Sequence, residues 1–73
     1  MTNNEKLIKA GHAAFGRNWQ TELSKRLDVN SGTVRHLVSG RNNVKDGVIE
    51  DVKLILLDRI EEIKEAKKGI EDD

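Results

Sequence analysis

Within nine residues, Ser31, Gly32, Thr33, Arg35, His36 and Ser39 bring together three hydroxyls, a guanidinium, an imidazole and a bare backbone position, with no acid among them. A guanidinium can donate two parallel hydrogen bonds to O6 and N7 of guanine, and a hydroxyl can bond any base edge. A set of small and hydrogen-bonding residues free of carboxylates suits an element that enters a groove of double-stranded DNA. Arg35 is the best candidate for bidentate reading of guanine. Directed at the sugar–phosphate backbone instead, it would add affinity without sequence information. His36 reads as a second base-facing group, the plainer alternative being a surface histidine.

These residues need a helix to carry them and a second helix to hold it. The stretch Gln20 to Gly40, QTELSKRLDVNSGTVRHLVSG, supplies both as a helix-turn-helix. Leu23 and Leu27 share a face by i, i+4 spacing, and Val34, Leu37 and Val38 do so by i+3 and i+4. Asp28-Val29-Asn30 connects the two sets, and Val29 is expected to fill the angle between the helices. Asn30 is a good N-cap, since its side-chain oxygen can accept from a free backbone N–H of the next turn. Gly40 can take the left-handed conformation that closes a helix.

Length and composition narrow the rest. A chain of 73 residues is one small domain with a modest core, marginal alone or in need of a partner chain. Cysteine is absent, which excludes disulfides, thiolate metal sites and a cysteine nucleophile. Two histidines without nearby acids or thiols make no metal site, so no metal or other cofactor is expected. No glycine loop for phosphates, no paired-carboxylate cleft and no supported Ser–His–acid arrangement is present, so no enzyme is expected. No apolar run reaches a membrane span, and MTNNEKLIKAG lacks the basic and apolar regions of a secretion signal. A cytoplasmic protein is expected. Proline is absent, in keeping with an all-α fold.

The zero net charge hides an asymmetry. Residues 1–46 hold eight Lys or Arg against four Asp or Glu, a net of +4, and residues 47–73 hold five against nine, a net of −4. The basic half can attract a polyanion and the acidic half does not suit one.

The pattern predicts a small all-α domain of four helices, at about 5–15, 19–27, 31–39 and 47–68, the last one long. Asn4, Asn18 and Asp46 are the expected caps of the first, second and fourth. Gly11 sits inside the first helix, where glycine costs about 1 kcal/mol against alanine. With Ala10, Ala13 and Ala14 beside it, the reason expected is close packing of another helix. Trp19 and Phe15 are expected to anchor the core. His12 reads as a surface or core-edge residue. Arg41 to Lys45 reads as a polar, basic loop, and Gly69 as the stop of the last helix. That helix is apolar most of the way round as far as Leu57. A heptad-like series, Ile49, Val52, Leu56, Ile63 and Ile70, is interrupted at Arg59 and Ala66. One face can cover the other helices, which leaves Leu56, Ile60 and Ile63 for a helix–helix contact in a homodimer.

The Gln20–Gly40 stretch resembles the helix-turn-helix of the Cro and phage-repressor (XRE-like) family. The matching residues are Gln20 at the start of the first helix, Ser24, Leu27 before the turn, then Val34, Leu37 and Gly40. The flanking Phe15-Gly16-Arg17-Asn18-Trp19 and Asp46-Gly47-Val48 are similar to those of some phage and proteobacterial regulators, and the likeness covers about residues 5 to 60. Asp28 departs from the family's usual glycine, so the turn must accept an Asp in the left-handed region. Ser24 replaces the usual alanine. The resemblance implies that Ser31, Gly32 and His36 face base edges with Thr33 and Arg35 flanking them. It implies that Gln20, Asn30 and Arg41 contact phosphates. A dimer would read two half-sites about one turn, roughly 34 Å, apart. The function implied is a sequence-specific DNA-binding transcriptional regulator, a repressor, in a phage or bacterial setting and associated with the nucleoid. The alternative is a protein–protein interaction module, an antitoxin or adaptor, that uses the C-terminal helix and keeps the helix-turn-helix as scaffold.

Overall fold

The computed structural model describes residues 1–40 and 43–72. It is all-helical, with no strand among the described residues. Helix α1 runs Asn3–Phe15, a 3-10 turn spans Gly16–Asn18, α2 is Trp19–Leu27, α3 is Ser31–Val38 and α4 is Asp46–Glu71. The ends of α1 and α4 differ from the sequence expectation. Thr2, not Asn4, caps α1, its hydroxyl accepting from the Glu5 N–H at 3.1 Å. Asn18 makes no side-chain cap; the 3-10 turn brings the chain into α2 without one. Asp46 lies in the first turn of α4 rather than before it, where its charge suits the helix dipole. Gly69 does not stop α4, which continues to Glu71 as an exposed end on which nothing packs among the described residues. Gly16, at φ 72, does end α1.

The core is Leu7, Trp19, Leu23, Val34, Val44, Val52 and Ile55, so every helix contributes to it. Leu7, Leu23 and Val34 are the largest side chains sealed completely from solvent. Each such burial contributes about 1.5–3 kcal/mol. Gly11 is buried because the six-membered ring of Trp19 lies directly on it. The His12 ring stands 5.3 Å from that of Trp19, at the edge of the core. Val44 is a correction to the polar-loop reading: it is as buried as Trp19. Phe15, expected beside Trp19 in the core, is only half-buried.

Phe15 instead forms part of a clamp that holds α4 against the other helices. The guanidinium carbons of Arg26 and Arg59 lie 5.1 and 5.3 Å from its ring centre. Arg59 Nε donates to the Ala14 carbonyl at 2.7 Å, satisfying one of the orphan acceptors at the end of α1. Arg26 donates two parallel bonds to Glu62, at 2.7 and 2.9 Å. That fork holds the Glu62 carboxyl below its ordinary range and raises the Arg26 guanidinium above its own.

Both side chains remain partly in water, so the pair is screened and its contribution is modest. Because the folded carboxyl is depressed, that contribution is present above the unfolded carboxylate value, about 4.3. It is lost as pH falls through the lower folded value. Glu62→Gln should therefore reduce stability at neutral pH and flatten the fall in the urea midpoint between about pH 5 and pH 3. An acid limb identical in the two proteins would mean that the clamp carries none of the pH dependence.

The described molecule measures 48 × 21 × 18 Å. Its length comes from α4, whose 26 residues extend about 39 Å. The last α4 residue tied to another helix is Glu62, and the turns after it project beyond the core.

Candidate nucleic-acid interface

The connection between α2 and α3 is built from backbone bonds that the local sequence sets up. Asp28 adopts φ 58, ψ 43 and is the only non-glycine at positive φ among the described residues. Its N–H reaches the Lys25 carbonyl at 3.2 Å, and the Val29 N–H reaches that of Ser24 at 3.0 Å. This is the paired closure of a Schellman end, with Asp in the place glycine usually takes. Ser24 is buried, and its hydroxyl turns back to the Thr21 carbonyl at 2.6 Å. Val29 does not fill the interhelical angle. With its N–H committed to ending α2, its side chain faces outward and is 39% exposed.

Asn30 is extended and caps α3, its Oδ1 accepting from the Thr33 N–H at 2.9 Å and from the Thr33 hydroxyl at 3.2 Å. Such a cap contributes about 1 kcal/mol. The cap draws the Thr33 hydroxyl into the turn. Ser31, Thr33, Arg35 and His36 are exposed, and Gly32 is half-buried. Gly32, Arg35, His36 and Ser39 line one shallow groove of about 320 Å³, as their i, i+3, i+4, i+7 spacing requires. A Cβ on Gly32 would stand 3.1 Å from Asn30 Oδ1 and 4.0 Å from Arg35 Nη2. The guanidinium therefore lies back toward the N-terminal end of α3, over the glycine. Ser39 is exposed and its hydroxyl donates to the His36 carbonyl at 2.7 Å. Gln20 is half-buried in the first turn of α2, away from that groove. Arg41 lies outside the described residues.

Asn3 and Asn4, of which the sequence singles out only Asn4 and only as a local cap, make long-range bonds here. Asn4 Nδ2 donates to the Leu37 carbonyl in the last turn of α3 at 2.7 Å, and its Oδ1 accepts from the Val44 N–H at 3.3 Å. Asn3 Nδ2 donates to the Val44 carbonyl at 2.9 Å and to Asp46 Oδ1 at 2.8 Å. The first turn of α1 thus ties the end of α3 to the start of α4. The adjacent asparagines are the only signal in the sequence, and their partners lie 33 to 43 residues away.

The apolar residues singled out on α4 lie elsewhere. Helix α3 packs on α1 and α2 but not on α4, among the described residues. Leu56 is half-buried in a second groove of about 400 Å³, with Lys6, Ala10, Ile49, Val52 and Lys53. Ile60 and Ile63 are 45% and 50% exposed. Among the described residues, no three His, Asp or Glu side chains group as a metal site would require, and no helix is long and apolar enough to cross a membrane. No family model matches the chain, and neither a curated protein nor a solved structure matches it.

Proposed function

We propose that the chain is a sequence-specific DNA-binding transcriptional regulator, a repressor acting as a homodimer. In this reading α2, the Asp28 turn and α3 form a helix-turn-helix, and α3 enters the major groove. The observation that carries it is the open face of α3, where Gly32, Arg35, His36 and Ser39 offer donors and a close backbone approach without a carboxylate. Arg35 is the guanine reader and His36 its neighbour on the same face. Gln20, Asn30 and Arg41 fix the register on phosphates, with Ser31 and Gly32 also at base edges and Thr33 at the flank. The charge division supports the same reading, since residues 1–46, which include α3, carry a net +4 and α3 does not pack on the acidic helix α4 among the described residues.

Selection of bound sequences from a random duplex library at about 150 mM salt tests the reading. An enriched inverted repeat is the expected result. Binding that shows no enrichment and fades steeply with salt would overturn it and leave a protein–protein interaction module built on α4.

A further inference from the structure

We propose that α4 pairs antiparallel with α4 of a second copy, each projecting end lying in the groove between α1 and α4 of the other. The inference rests on the homodimer reading and specifies its geometry. The same helix carries both halves of the contact. Ile49, Val52 and Leu56 line the groove at i, i+3, i+7, with Ala10 of α1 opposite. Ile63, Ala66 and Ile70 repeat that spacing on the same side of α4, beyond the last tie to the core at Glu62. Among the described residues nothing covers this second row, and Ile63 and Ile70 are 50% and 78% exposed.

The direction follows from lengths. Asn3 bonds Asp46 and Ala14 bonds Arg59, so α1 runs alongside the first half of α4 in the same sense and stops where the projecting end begins. An antiparallel crossing centred near Arg59 and Ile60 lays residues 63–72 of one copy along residues 47–56 of the other, and both ends are covered at once. The last turn, with Glu71 and Asp72, then arrives at the groove end that Lys6 shares with Glu50. A parallel pairing would set the two bodies side by side and leave the grooves unfilled. Leu54 lies on the far side of α4 and takes no part.

The chain has no cysteine, so single cysteines report the geometry cleanly. In the full-length protein under mild oxidation, Ile60→Cys, close to the two-fold axis, should link to its twin, and Ile70→Cys alone should not. The double variant Ile49→Cys/Ile70→Cys should link efficiently. By sedimentation, Ile63→Asp should be monomeric at concentrations where the parent and Leu54→Asp are dimers. Linking of Ile70→Cys to itself would keep the homodimer and overturn the antiparallel pairing. A parent monomeric at tens of micromolar would overturn both, while the library selection above would still report on α3 independently.

Discussion

Arg35→Ala should lower affinity for a selected duplex by about 1–3 kcal/mol, or about 5- to 150-fold, and relax the preference at one base position. Stability should not follow it. Arg35 is exposed, and α3 is held by Val34 in the core, by the Asn30 cap and by Asn4 at its far end. Arg35→Lys separates reading from attraction: a point charge keeps the salt-dependent part of binding and loses the two-pronged geometry. Both proteins should therefore lose discrimination at that one base position, the lysine protein keeping more of the salt-dependent affinity. Titration against the selected duplex and a scrambled one, at fixed salt, measures both effects. Unchanged affinity and preference in Arg35→Ala would remove α3 as the reading element.

The largest stability effect is expected at a residue with no side chain. Gly11→Ala improves helix propensity by about 1 kcal/mol, and on an exposed helix it would stabilise. Here the new Cβ would stand 2.7 Å from Cδ2 and Cζ3 of Trp19 and closer still to Cε3. That ring is 3% exposed, packed in the core and flanked by His12, so it cannot step aside without moving α2. Overpacking of this kind costs about 1–3 kcal/mol, which outweighs the propensity gain. In a domain this small, that is a large share of the total. The urea midpoint should fall and Trp19 fluorescence should shift toward that of exposed indole. A midpoint at or above that of the parent would show that α1 and α2 can separate freely.

Features encoded by neighbours were legible in the sequence. The bounds of α2, the Asn30 cap, the left-handed Asp28 and the need for something to press on Gly11 follow from spacings of at most a few residues. Features encoded across the chain were not. Val44 sits in a polar loop that carries no periodicity, yet it is buried because Asn3 and Asn4 hold its backbone from both sides. Val29 has the same local appearance and is exposed, in the turn that closes α2. Arg26 and Glu62 find each other over 36 residues, and Phe15 leaves the core to meet two guanidiniums. At the candidate interface, Arg35 and His36 stood out by type. The groove they share with Gly32 and Ser39 follows from helical phase, whereas the asparagines that aim the helix gave only the sign of an ordinary cap.

Those asparagines also set an order of events during synthesis. Chains emerge from the ribosome first residue first, and α1 to α3 are complete some time before α4 appears. Until then the amides of Asn3 and Asn4 lack Val44 and Asp46, and the core lacks Val52 and Ile55. The nascent α1–α3 segment has α3 packed on α1 and α2 and tied by Asn4 to Leu37, but lacks the part of the core that α4 supplies. It locks only when the first turns of α4 arrive and close contacts that span more than half of the chain. A truncated product ending before α4 would carry the whole exposed face of α3 on an incomplete core.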